Sequence, residues 1–378
     1  MFFFITLGYC AKYAILFAGS KDWSNYRHQA DVYYMYGILK SHGFDDDHIS
    51  MWTYNDIADN ELNPYPGKVF HTLNNTNIYP GKEKIDFLGE NCSSTKFIRY
   101  LKELNTTKDD DLFIFYNDHG SANILSTPVG RPITTYQLGN TIITMSKTRK
   151  FRKMFFLVEA CNSGCLKDSI VSPNVAVITA AQCSESSYSA INSKWAGAFL
   201  SNEFSAYVIR EIEMNPTHTI NSLFENVHEK MSHSTPTIFG DILDTPISDF
   251  IGVGPKSSIR RQALDEEDEK IVHAELYAKP EARERYYQHQ KYMKSLTEKM
   301  ENAINTIVNK VAGQEAPIFM KLHDLPDVRK CYEPVLEEYF TKFGEYNQDT
   351  SYLITPLKAL CTKYDSKVII DAIDTTLV

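Results

Sequence analysis

The chain lacks a stretch basic enough to argue for nucleic acid, and its interior has no segment near the roughly 20 apolar residues that cross a bilayer as a helix. Its net charge is −9, and after Pro255 there are 18 basic against 21 acidic residues. Neither nucleic-acid binding nor a membrane span is therefore expected. Internal repeats and low-complexity tracts are missing too, which sets aside solenoids and compositionally biased polymers. Cysteine is sparse, seven in 378 residues, so this is no disulfide scaffold, and the odd count leaves at least one thiol over. Cys161, Cys165 and Cys183 lie close in sequence, but no second CxxC or HxxxH completes a tetrahedral zinc set. No metal and no other cofactor is expected.

What the chain does have begins with an apolar start. "MFFFITLGYCA" is short and ends in a small residue, and the strand after it, "KYAILFAG", is already complete from Lys12. Residues 1–11 therefore read as a minimal secretory signal, although a basic first segment is lacking. Three glycosylation sequons, at Asn74, Asn91 and Asn105, point to the same compartment. The expectation is a soluble protein in a lumen or outside the cell.

Through the first half, apolar runs of strand length alternate with helical patterns. Strands are expected at 12–19, 49–54, 111–117, 154–159 and 175–180. Helices are expected at 25–42, where Gly43 supplies the stop, and at 97–104. Near-continuous apolar strands of this kind suit a mostly parallel sheet with helices on both faces, an α/β fold. From about residue 256 a polar linker leads into charged helical sequence, and a small all-α module follows.

In open parallel sheets, sites collect beyond the carboxyl ends of the strands. His119 follows one apolar run in "FIFYNDHG", and Cys161 follows another in "MFFLVEAC". An imidazole beside a thiol supplies the thiolate that attacks carbonyls, so the pair implies acyl transfer through a thioester. Gly120 can turn an uncrowded backbone N–H toward the developing oxyanion. The plainer reading is a buried small hydrophobe and a satisfied turn residue. The placement of both residues at strand ends beside small neighbours favours the chemical reading.

"AGSKDWSNYRHQAD", "NDIADNELNPYPGKVF", "YNDHGSANIL", "FFLVEACNSGC" and "ESSYS" occur in the order found in the legumain, or asparaginyl endopeptidase, family, and the first 200 residues resemble it. The resemblance implies a caspase-like α/β/α sandwich over residues 12–255 and a linker and activation helix over 256–310. It also implies a death-domain-like helical prodomain over 311–378, with a Cys331–Cys361 bridge. Cys161 is then the nucleophile, His119 the base and Asn25 the group orienting the imidazole, although Asn25 also suits a helix N-cap. Arg27, His28, Glu159, Ser186 and Ser187 form the pocket for Asn, or protonated Asp, and Asp118 matches an aspartate able to form a succinimide. Two departures stand out. Ala198 replaces a pocket aspartate, and Asn162 replaces the glutamate after the nucleophile.

The implied protein is a zymogen of the secretory pathway, bound for an acidic lysosome- or vacuole-like compartment or for secretion. Its partners would be protein or peptide substrates, its own prodomain as inhibitor, and cystatin-like inhibitors. No asparagine lies between Pro255 and Glu301, so self-processing is expected after Asp265 or Asp268, with Asn302 and Asn305 as the fallback. A peptide ligase that captures the thioester with an amine, and an inactive homologue serving as a binding scaffold, are the competing readings.

Overall fold

The apolar runs of the first 180 residues form the middle of one sheet. The computed structural model describes residues 10–74, 76–254, 280–322, 325–344 and 348–377. Its strands begin with β1 (Lys12–Ala18), β2 (Ile49–Thr53), β3 (Phe87–Leu88) and β4 (Asp111–Asn117). A small ribbon follows, made of β5 (Gly120–Ser121), β6 (Ile124–Leu125) and β7 (Ile133–Thr134). Then come β8 (Lys153–Glu159), β9 (Val175–Thr179), a hairpin of β10 (Ser189–Ser193) and β11 (Ala198–Asn202), and β12 (Thr237–Gly240). The main sheet has seven strands in the order β12-β9-β8-β4-β1-β2-β3. Its pairings are parallel except that of β12 with β9.

The helices of this part are α1 (Tyr26–Ser41), α2 (Ser94–Glu103), α3 (Thr135–Lys147), α4 (Glu203–Met214), α5 (Ile220–Lys230) and α6 (Ser248–Ile251). Every residue of β4 is buried, as a strand covered on both faces requires. Alternate side chains feed two cores. Phe113 and Phe155 pack on one face with Tyr33 of α1, Val208 of α4 and Leu223 of α5. Ile114 and Phe156 pack on the other with Phe97 of α2 and Ile142 of α3. The protein therefore has the α/β/α sandwich expected of it, with an all-α region after it.

That region holds α7 (Pro280–Ala312), α8 (Ala316–Phe319), α9 (Arg329–Phe343), α10 (Thr355–Leu360) and α11 (Ser366–Thr376). Leu296, Met300, Ala303, Ile304, Ile307 and Val308 recur on one face of α7 and meet Tyr332 and Val335 of α9 and Ile369 of α11. Cys331 and Cys361 are bridged. Ile124 of β6 joins this third core, so the sandwich contributes a side chain to the helical region's interior. No described helix is long and apolar enough to cross a membrane.

Residues 1–9 of the signal-like segment, and Asp265 and Asp268, lie outside the described residues. Ala11 is held against the start of β4, donating to Asp110 Oδ1 at 3.2 Å and accepting from the Asp111 N–H at 2.9 Å. Asn74, Asn91 and Asn105 are exposed. Asn302 and Asn305 lie within α7, both exposed.

Candidate active site

The register of β4 and β8 decides where the quoted histidine and cysteine leave the sheet. The strands are adjacent and parallel, with Asn117 opposite Glu159, and the Asp118 N–H continues the ladder to the Glu159 carbonyl at 2.9 Å. His119 and Cys161 each lie two residues beyond that pair, at the same height of the sheet. Gly120 shows how closely the two exits run: a Cβ there would sit 2.2 Å from the Cys161 carbonyl oxygen. The glycine is thus required by close backbone approach.

Asn25 arrives from the other side, at the start of the helix that follows β1, the other neighbour of β4. His119 Nε2 donates to Asn25 Oδ1 at 2.7 Å, and Asn25 Nδ2 donates to the Lys21 carbonyl at 3.0 Å. Asn25 occupies the N-cap position of α1 but makes no capping bond, so its side chain serves the imidazole and not the helix. With Nε2 donating, Nδ1 of the neutral ring is left with the lone pair that can take a proton. Cys161 is a free, half-buried thiol, and the Ser187 N–H points at its sulfur from 3.3 Å.

Around this group the electrostatics are set by burial. Arg27 donates through Nε to Asn202 Oδ1 at 2.8 Å and through Nη1 to the Ser24 carbonyl at 3.1 Å. Asn202 in turn donates to Asp31 Oδ2 at 2.7 Å. Burial, with Asp31 nearby, pushes the Glu159 carboxyl up to about 8 against hydrogen bonds from Ser187 and Ser205. Glu159 is therefore protonated at neutral pH, and its neutral carboxyl both donates and accepts. Asp118 is 2% exposed, with neither carboxylate oxygen hydrogen-bonded, and burial drives its pKa far up.

His28 lies behind His119, ring centroids 4.9 Å apart and edge-on, with Nδ1 2.6 Å from Ser20 Oγ. Burial, helped by Arg27 and His119, lowers its pKa and keeps it neutral. Ser187 stays beside Cys161, whereas Ser186 faces a cavity of about 590 Å³ together with Asn162 and Asn305 of α7. Ala198 is buried in β11.

A residue from the helical region completes the picture, and sequence reasoning missed it. Asp349, in a 3₁₀ stretch (Gln348–Ile354), places Oδ1 2.9 Å from His119 Nε2 and accepts from Asn25 Nδ2 at 2.9 Å. Gln348 donates to the Lys21 carbonyl at 3.0 Å. Burial pushes the Asp349 carboxyl up, but His119, Asn25 and Arg27 outweigh it and hold it below the usual carboxylate range. An aspartate in a helical tail carries no signal that separates it from a solvated charge. Asn202 was missed for the same reason.

Metal ligation finds little support in the cysteines, because Cys165 and Cys183 are bridged to each other and offer no thiolate. Among the described residues, His28, Asp118 and His119 have ligand atoms within 4.8 Å of one another. Both imidazoles, however, are engaged by Ser20 and by Asn25.

With that geometry in place, known proteins can be compared. Human legumain is 33% identical over 236 residues, covering 59% of this chain and 54% of its own. The hemoglobinase of Schistosoma mansoni is 36% identical over 188 residues, covering 47% and 43%. The vacuolar-processing enzyme delta-isozyme of Arabidopsis thaliana is 32% identical over 191 residues, covering 47% and 41%. The matched region thus spans about half the length of these curated relatives. In overall shape, the structure of caspase-1 from Spodoptera frugiperda aligns over 66% of this chain and 93% of its own, at 12% identity and a TM-score of 0.41. Residues 12–252, well over half of the chain, match the Peptidase C13 family, and the chain belongs to that family.

Proposed function

We propose that the chain is a cysteine-type endopeptidase that cleaves after Asn, and after Asp at acidic pH, and that it is made as a zymogen closed by its own helical region. The observation that carries this reading is the β4–β8 register, which brings His119 and Cys161 to one height while Asn25 holds the imidazole by a 2.7 Å bond. His119 Nδ1 takes the Cys161 proton, and the thiolate adds to the scissile carbonyl carbon. The oxyanion is met by the Gly120 N–H. The imidazolium then gives its proton to the leaving amine, the C–N bond breaks and a thioester remains. Water, deprotonated by the same imidazole, releases the acid and restores the thiol.

Arg27 would donate to the side-chain oxygen of Asn in the pocket. Glu159, whose carboxyl is neutral below about 8, would accept from the amide nitrogen. Ser187 adds its hydroxyl to the wall, and Asp118 keeps its succinimide-forming candidacy. A site built to pair a carboxamide rejects side chains that leave these buried groups unpaired, by factors of about 10⁴. Asp fits once protonated.

In the zymogen, Gln348 and Asp349 lie against Lys21, Asn25 and His119, so the helical region would cover the site and keep substrate off it. Opening requires cleavage between the sandwich and the helical core, after Asp265 or Asp268, in an acidic compartment of the secretory pathway. The test is acid activation followed by a scan of fluorogenic peptides differing at the residue before the scissile bond, with Cys161→Ser as control. Preference for Asn at neutral pH, widening to Asp on acidification and lost in the control, is the expected result. Equal cleavage of all peptides, or full activity in the control, would overturn the reading.

A further inference from the structure

The reading above leaves Cys165 and Cys183 without a task. Their bridge, with Cα atoms 4.4 Å apart, joins two segments of the site. One is the turn leaving β8 that carries Cys161, and the other leaves β9 and carries Ser187. The same two segments are zipped by backbone contacts. The Asn162 N–H donates to the Glu185 carbonyl at 2.7 Å, and the Gly164 N–H donates to the Ala181 carbonyl at 2.9 Å. Asn162 Nδ2 donates to the Cys183 carbonyl at 2.6 Å, and the Ser187 N–H closes on Cys161 Sγ at 3.3 Å. The segments touch so closely that a Cβ at Gly164 would lie 2.8 Å from the Cys183 nitrogen. Asn162, next to the thiol, is held in the left-handed region at φ 55°. A non-glycine residue stays there when its surroundings fix it.

We propose that the Cys165–Cys183 disulfide is a positioning element that locks the Cys161 turn to the Ser187 wall, so that breaking it lowers turnover and blurs side-chain discrimination together. The proposal rests on Cys161 as nucleophile and Ser187 as pocket wall. It also gives reductants two opposed effects. A reductant frees Cys161 from oxidation, but a dithiol also opens the bridge. One dithiol sulfur attacks Cys183, the more open of the pair, and Cys165 leaves as thiolate. The second dithiol sulfur then closes a ring on the first and releases the Cys183 thiolate. The dithiol is oxidised to a cyclic disulfide, and two cysteines are reduced.

The experiment uses the acid-activated protein with the bridge intact, the same protein reduced by dithiothreitol, a Cys165→Ser/Cys183→Ser double variant, and Gly164→Ala. Bridge state is read by mass after alkylation, activity as kcat and KM on an Asn peptide and its Gln counterpart, and folding by thermal melting. Iodoacetamide alkylation of Cys161 is timed in parallel, since it reports the thiol's setting without any substrate. Reduction is expected to lower kcat/KM for the Asn peptide at least about fivefold and to narrow the Asn-to-Gln ratio, with a cooperative melt retained. Reoxidation should restore both. The double variant should match the reduced protein and ignore dithiothreitol, and Gly164→Ala should reproduce the narrowing with its bridge intact. Should the double variant not fold, reduction and reoxidation of the parent decide alone. Unchanged kinetics and alkylation on reduction overturn the proposal, as does a loss of activity that only follows a lost melt with the Asn-to-Gln ratio constant. A bridged parent that cleaves no Asn peptide overturns the functional reading instead, and its alkylation rates then judge the bridge separately.

Discussion

The sandwich and the helical region each bring residues to one imidazole, and they do so by different means. β4 and β8 pair residue for residue from Asp111–Lys153 to Asn117–Glu159, so His119 and Cys161 are carried to the site by an unbroken ladder. Asp349 is carried by a short 3₁₀ stretch, and its neighbour Gln348 adds one bond to Lys21. Elsewhere the helical region is fastened by Arg131 to Thr341 at 2.9 Å, Tyr136 to Asp327 at 3.0 Å and the guanidinium of Arg329 over the Tyr136 ring at 4.2 Å. Polar contacts of this kind break singly, whereas a central ladder breaks only when the domain unfolds. The groups proposed for chemistry sit on the part that cannot move, and the proposed inhibitor sits on the part that can.

The sharpest way to break that contrast is Cys161→Ala. It should lower Asn-peptide hydrolysis by about 10⁴-fold or more while leaving the docking of the helical region and the melting temperature unaltered. A variant that kept activity would move the chemistry elsewhere. The next largest effect concerns the tail alone. Removing the Cys331–Cys361 bridge, whose separation is 30 residues, should cost the helical region about 3–4 kcal/mol. Calorimetry of the intact chain should show its transition separating and moving down, while kcat/KM of the activated enzyme stays constant.

Asn25→Ala touches both sides, because Asn25 holds His119 and also donates to Asp349. Its loss should lower kcat by about 10²-fold in the activated enzyme, with KM little altered. It should also loosen the closed form, read as faster hydrogen exchange in residues 348–354. An effect on exchange alone would make Asn25 part of the closure and not of the chemistry.

How much of this was legible from the residues follows the same division. The strands that carry the site are dense in apolar, β-branched and aromatic side chains, so 111–117 and 154–159 read as strands directly. The pairing of those two strands did not, because register is a tertiary property and periodicity reports one strand at a time. The helix at Thr135–Lys147 and the hairpin of β10 and β11 were not picked out. The helix is half polar, with Gln137, Asn140 and Thr144 on its exposed face, and the hairpin carries Ser189, Asn192 and Ser193 among few apolar residues. The Cys165–Cys183 bridge was hidden by proximity to Cys161, which invited a metal reading of the same three residues. Asn162 was weighed for its missing charge. The structure gives it a different place, a left-handed turn tied by its amide to Cys183.

The smallest effect is the most specific to the closed form. Asp349 is held below the usual carboxylate range, so its contribution to closure is complete above that range and is lost only as pH falls through the lowered value. Mild acidification therefore leaves this contact intact. Opening at about pH 5 must come from cleavage between the two parts or from other carboxylates. Asp349→Asn, built on Cys161→Ser to prevent self-cleavage, removes the charge at every pH. Because the carboxylate is partly open to solvent, the variant's closure at neutral pH should weaken only about fivefold. Hydrogen exchange in residues 348–354 measures this, and parent and variant should stay apart through the ordinary carboxylate range and converge only below it. Convergence already within the ordinary carboxylate range, near about pH 4, would mean that Asp349 titrates like an unpaired carboxylate, and its contact with His119 would then be no part of what keeps the tail in place.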